Sequence, residues 1–167
     1  MLWKTILLPS LLFHTSEGLE NLDRECPEHW LDASLTGMGC LLFNSSAELT
    51  WEESSFACHQ SNSSLLEIWT EVQLDYIREE ISFLADASSW LDQDWWTSGT
   101  DLGWEGHWYW ASSLAPIADF VWHSGQPDNR PNDEGTGANC LILENSMDFM
   151  AQDERCSYTT FHICQKK

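Results

Sequence analysis

His123-Ser124-Gly125-Gln126-Pro127-Asp128-Asn129-Arg130-Pro131-Asn132-Asp133-Glu134-Gly135-Thr136-Gly137-Ala138-Asn139 is the stretch on which the reading of this chain turns. It holds three glycines, two prolines and almost nothing apolar. A structureless loop of about 17 residues is uncommon inside a compact domain and is usually functional. Gln126-Pro127-Asp128 sets an amide and a carboxylate on either side of one proline, and a further acid, Asp153, follows. Such oxygen donors suit a hard cation: calcium takes roughly six to eight oxygens at flexible angles. Outside a supporting frame, the same tripeptide reads as an ordinary turn.

On either side of this loop lie strand patterns. Trp95-Trp96-Thr97, His107-Trp108-Tyr109-Trp110, Phe120-Val121-Trp122 and Cys140-Leu141-Ile142-Leu143 are short aromatic or β-branched runs bounded by turn formers. Further upstream, two helices announce themselves. Thr50-Trp51-Glu52-Glu53 has the capping-box pattern and predicts a helix to about Gln60. Thr70-Glu71-Val72-Gln73 repeats it, and Val72, Leu74, Ile77, Ile81 and Leu84 continue at near-helical spacing to about Ala85. Helices first and antiparallel strands after predict an α+β fold. Of the eleven tryptophans, Trp51, Trp69, Trp96, Trp110 and Trp122 are expected to pack inward. Trp95, Trp104 and Trp108 are the candidates for exposure, and His107 and His123 read as structural or surface histidines.

Residues 1–16 are unlike the rest. One cation, Lys4, precedes the apolar run Thr5 to Phe13, which reads as a secretory signal peptide ending between residues 15 and 19. That run is too short for a bilayer span, which needs roughly 20 apolar residues, so no membrane insertion is expected. Residues 17–25 form a polar lead, and 26–167 read as one domain. The six cysteines are Cys26, Cys40, Cys58, Cys140, Cys156 and Cys164. An even number in a secreted chain implies disulfides, though spacing alone leaves every pairing open. The lack of a Cys-x-x-Cys pair argues against a zinc ribbon. Asn44-Ser45-Ser46 and Asn62-Ser63-Ser64 are N-glycosylation sequons. The net charge of −20, with seven Lys and Arg and no basic stripe, argues against nucleic acid and anionic membranes as partners. Catalytic signatures such as His-Glu-x-x-His, Gly-x-Ser-x-Gly or a phosphate-cradling glycine loop do not occur, and no enzyme is expected.

These pieces, in their order and spacing, resemble the C-type lectin-like domain in its long form. The residues that carry the likeness are Cys26-Pro27-Glu28-His29-Trp30, Cys40-Leu41-Leu42-Phe43, Trp96-Thr97-Ser98-Gly99, Glu105-Gly106-His107-Trp108-Tyr109-Trp110, Gln126-Pro127-Asp128 and the closing cysteines. Thr97 to Asp101 looks most like small secreted invertebrate lectins. The resemblance implies the pairs Cys26–Cys40, Cys58–Cys164 and Cys140–Cys156. It also implies calcium held by Gln126, Asp128 and Asp153 with help from Glu134, and a sugar held by Gln126, Asp128, Gln152 and Asp153. A cis Gln126–Pro127 bond would turn both flanking side chains toward one cation. Amide before acid is the family's order for galactose-type sugars. The implied role is glycan recognition on microbial or self surfaces, in the extracellular fluid, with oligomers raising avidity.

The chain departs from the family at four places. Ala138 stands where a metal-binding Glu is usual, and Asn139 where an acid is common. Gln152 replaces an asparagine with a longer arm, and Arg130 replaces the tryptophan that stacks on galactose in many members. Asp133 and Glu134 can supply the missing carboxylate. The alternative is a calcium-independent module of the same fold that binds a protein ligand.

Overall fold

The computed structural model describes residues 26–87, 93–130 and 137–167. The expected signal peptide and the lead to residue 25 lie outside the described residues. In chain order the elements are β1 (Leu31–Ala33), β2 (Gly39–Leu49), α1 (Trp51–Gln60), β3 (Ser64–Leu65), α2 (Glu71–Ala87), β4 (Trp95–Thr100), β5 (Tyr109–Trp110), β6 (Ala115–Pro116), β7 (Cys140–Glu144), β8 (Met150–Glu154) and β9 (Thr160–Lys166). This is the α+β arrangement expected, with both helices close to their predicted bounds.

The helices start for the reasons their sequences give. At α1, the Glu53 N–H donates to Thr50 Oγ1 and the Thr50 N–H donates to Glu53 Oε2, so both halves of the capping box form. At α2, the Gln73 N–H donates to Thr70 Oγ1. Its side chain then reaches one residue further back than a capping box requires, accepting from the Trp69 N–H at 2.7 Å. The Gln73 amide also donates to Thr36 O at 3.0 Å, which anchors α2 to the turn after β1.

The sheet runs β1-β2-β9-β4-β5-β6, with β3 on β9 and β7-β8 branching from β4. β2 and β9 pair antiparallel, so the last strand returns to the beginning of the domain. β4 lies parallel to β9, with Trp95 opposite Phe161 and Trp96 opposite His162. Successive side chains on these strands face opposite sides. Trp95, Leu141, Leu143 and Ile163 enter the larger core with Leu74, Ile77 and Ile81 of α2. Trp96, Ile142 and Cys164 enter a smaller one with Cys58 of α1. The indole N–H of Trp51 donates to Thr97 O and that of Trp96 to Leu49 O, which seats α1 against β4.

Three expectations fail here. Trp95 is not exposed: it enters the larger core with its ring edge-on to Phe43 of β2 and Phe161 of β9, and all six residues of β4 are buried. Trp69 is not inward but 40% exposed, because it precedes α2 with its indole N–H on Glu67 Oε2. Phe120-Val121-Trp122 is no strand; Asp119–Val121 makes a 3-10 turn, and Trp122 adds one bridge to Ala151.

The disulfides are Cys26–Cys40, Cys58–Cys164 and Cys140–Cys156, as the resemblance implied. Cys58–Cys164 ties α1 to β9, and Cys140–Cys156 joins the entry of β7 to the residues just after β8.

Candidate functional site

The long loop leaves the 3-10 turn at residue 121 and re-enters the sheet at β7. Its first half turns tightly: the Gln126 N–H donates to His123 O, and the His123 N–H donates to Ala151 O on β8. β8 also carries Asp153, buried at 3% exposure. Loop and acid are therefore registered to one strand.

Asp153 gathers the loop around its carboxylate. Oδ1 accepts the Asp128 N–H at 2.9 Å, and Oδ2 accepts the Asn129 N–H at 2.6 Å. Gln126 Oε1 accepts the same Asp128 N–H at 3.1 Å. The Gln126–Pro127 bond is cis. Burial pushes the Asp153 carboxyl above the usual range and the negative charge of Asp128 adds to this, while the backbone amides of Asp128, Asn129 and Asp153 itself partly offset it. The site thus brings Gln126, Asp128 and Asp153 together. Asp128 does not stand free: its Oδ2 accepts from Arg130 Nε at 2.7 Å.

Gln152 is not gathered in. It pairs with Ile142 on β7, whereas Asp153 pairs with Leu141, and neighbours along a strand face opposite sides. Among the described residues the loop's hydrogen bonds to β8 run to Ala151 and Asp153 and not to Gln152. Asp133 and Glu134, expected to add a carboxylate, lie outside the described residues.

Two residues that the sequence reading did not single out hold the loop. Asn129 sits at φ 45°, a left-handed conformation that Asn tolerates better than most residues. Its side-chain amide donates to Glu105 Oε1 at 2.6 Å and its Oδ1 accepts the Ala138 N–H at 2.9 Å. One asparagine thereby joins three segments: the turn at 105, the loop, and the approach to β7. A Cβ on Gly137 would collide with Asn129 Oδ1, so the clasp needs a glycine there. The available signal was an Asn directly after the tripeptide, a residue type suited to positive φ. Close by, Asp101 Oδ1 and Asn139 Oδ1 are buried oxygens with no hydrogen-bond partner among the described residues. A water or a cation would satisfy them.

The aromatic surroundings fill in. Trp104 is 69% exposed and stacks on the His107 ring at 3.8 Å. It adjoins Glu105, so an exposed ring stands beside the Asn129 clasp even though Arg130 occupies the usual aromatic position. Trp108 is half-buried against Trp122. Among the described residues, the His, Cys and carboxylate group compact enough to hold a metal is Cys58, His162 and Cys164, and its two sulfurs are bonded to each other.

The fold and the loop together define a C-type lectin-like domain. The profile of the lectin C-type domain matches residues 47–166, and the chain belongs to that family. It is 29% identical over 154 residues to C-type lectin domain family 4 member M of Gorilla gorilla gorilla, covering 88% of this chain and 35% of that protein. The chain thus spans about a third of the length of that curated relative. Among solved structures, the mouse scavenger receptor C-type lectin carbohydrate-recognition domain superposes with a TM-score of 0.71 at 24% identity, covering 86% of this chain and 98% of that one. A calcium-independent type II antifreeze protein superposes at 0.66 with 20% identity, covering 85% and 94%. At these identities the structural likeness establishes the fold. Lectin C-type domains are binding domains without catalytic chemistry of their own.

Proposed function

We propose that this chain is an extracellular, calcium-dependent lectin that binds galactose-type glycans through the loop at 126–129. The observation that carries the reading is the convergence of Gln126 Oε1 and the Asp153 carboxylate on the backbone of Asp128. The donor set fits calcium: an amide oxygen and two carboxylates, one of them buried and pushed up by its own desolvation and by its acidic neighbour. Gln126, Asp128 and Asp153 would hold the ion, with Glu134 as a further carboxylate. When bound, calcium would supply coordination positions for two vicinal sugar hydroxyls. The chain's own part is to orient those hydroxyls: a carboxylate accepts from them, and an amide NH₂ donates to them.

The amide-then-acid order supports galactose over mannose, as the resemblance implies. The apolar leader supports export, and the acid-rich surface suits extracellular fluid. Asn62 is exposed on the turn after α1 and is the better placed of the two sequons; Asn44 lies half-buried in β2. A single shallow site binds sugar weakly, so clustering of several copies would raise avidity.

A second reading has its own support. Arg130 pairs with Asp128, the backbone amides of Asp128 and Asn129 donate to Asp153, and Asn129 clasps the loop to Glu105 and Ala138. Those bonds favour a calcium-independent module that binds a protein surface. Passing the protein over immobilised galactose and over mannan in calcium, then eluting with chelator, separates the two. Release from galactose by chelator supports the lectin. Passage through both columns, with no rise in melting temperature on adding calcium, supports the second reading.

A further inference from the structure

A cleft of about 380 Å³ lies between α1, β3, β4 and the residues just after β5. None of its lining residues belongs to the loop at 123–139. Its size is in the range of small-ligand sites. We propose that this cleft seats the chain's own N-glycan, with the first N-acetylglucosamine on Asn62 packed into it. The inference rests on the reading of Asn62 as a glycosylated sequon and is independent of calcium and of the galactose site.

The place of the sequon carries the proposal first. Asn62 is exposed, and the other two sequon residues, Ser63 and Ser64, both line the cleft. The root of the glycan is also held still. Asn62 sits at φ 52° with its N–H donating to His59 O at 3.0 Å. The N–H groups of Ser61 and Ser63 both donate to Cys58 O, at 3.0 and 3.1 Å, and Cys58 is bonded to Cys164 of β9. A sugar leaving a fixed point at the rim of a cleft enters it as an intramolecular partner, at little further cost in freedom.

The lining has the chemistry of that sugar. The Trp51 indole N–H donates to Thr97 O, which fixes the half-buried ring in the cleft wall as an apolar surface for a pyranose C–H face. Ser63 Oγ donates to Cys58 O at 2.7 Å and Ser112 Oγ to Glu67 Oε1 at 2.5 Å. Both hydroxyl protons are thus spent inside the protein, and the oxygens accept from an acetamido N–H or a sugar hydroxyl. Ser55 and His59 add a hydroxyl and an imidazole. No lysine, arginine, aspartate or glutamate lines the cleft among the described residues, which suits a neutral amide-bearing sugar.

The test uses the protein secreted from a eukaryotic host that adds only high-mannose glycans, in an Asn44→Gln background so that any glycan sits at Asn62. Three forms are compared by melting temperature: the full glycan, the single N-acetylglucosamine left by endoglycosidase H, and the glycan-free Asn62→Asp form left by peptide N-glycosidase. The single sugar should keep the whole gain over the glycan-free form, about 3 °C. In Ser55→Tyr, whose ring fills the cleft, and in His59→Ala, an exposed position, the gain from the single sugar should fall below about 1 °C. Each gain is taken within one variant, so a change in the variant's own stability does not enter. A single sugar that adds nothing overturns the seat and leaves the glycosylation reading standing. So does a gain that survives both variants. A secreted protein whose intact mass carries no glycan overturns the glycosylation reading and the seat together.

Discussion

Arg130 is the residue on which calcium affinity should turn. Its Nε lies 2.7 Å from Asp128 Oδ2, with 75% of the arginine side chain exposed. A cation that needs Asp128 must displace this guanidinium. Exposed pairs are weak, so the competition is modest. Arg130→Gln should tighten calcium binding about two- to fivefold, as read by the shift in melting temperature across a calcium titration. An unchanged midpoint would mean that Asp128 is not a ligand. Asn129 makes the complementary case: Asn129→Ala removes the bonds to Glu105 and Ala138 together. Retention on galactose should be lost while far-ultraviolet circular dichroism stays native. Retention equal to the parent protein would show that the clasp does not position the loop.

At the scale of an element, the start of α2 shows how a local signal was partly legible. Thr70 and Gln73 were readable as a capping pair, and the Gln73 N–H does donate to Thr70 Oγ1. The partner of the Gln73 side chain was not readable, because Thr36 lies 37 residues away and meets it only in the fold. Gln73→Met keeps the volume but leaves the Trp69 N–H and Thr36 O without this partner. A loss of about 2 kcal/mol in urea unfolding is expected. A loss below a few tenths would mean that water replaces the amide. The segment at 119–122 failed for a related reason. An apolar run of three fits a strand or a tight turn equally well, and only its neighbours arbitrate.

Two predictions belong to the whole molecule. Cys58–Cys164 closes a separation of 106 residues. In the chain-entropy account a loop of that size is worth about 4.7 kcal/mol. Replacing both cysteines with alanine should lower unfolding free energy by roughly 4 kcal/mol in chemical denaturation, against about 3 for the shorter Cys140–Cys156 loop. Equal losses for the two would argue against loop length as the cause. His162 is buried on β9 with neither ring nitrogen partnered among the described residues. Desolvation pushes its pKa down to about 4 from 6.5. The unfolded chain therefore binds a proton more readily between these values, and stability falls as pH drops from 6.5 toward 4. The full window is worth about 3 kcal/mol, with about 2 lost by pH 5. His162→Leu should hold its melting temperature from pH 7 to pH 5 better than the parent protein. Parallel decline in both would place the acid sensitivity elsewhere.

What the residues determine alone is what depends on near neighbours and on ordered spacing. Both helix starts and the glycine-rich loop could be read this way, because capping chemistry and turn preference act over a few residues; the cysteine pairs followed only from the family resemblance, since spacing leaves every pairing open. Tertiary structure decided the rest. Trp95 is buried because β2 and β9 bring Phe43 and Phe161 edge-on to its ring within the larger core. Asp153 and Asp128 share one site because β8 and the loop are brought together across 25 positions. Gln152 faces away because strand register, which has a period of two, is set by pairing with β7. Burial, register and the sharing of one carboxylate by two amides are properties of packed neighbours, and no window of sequence contains them.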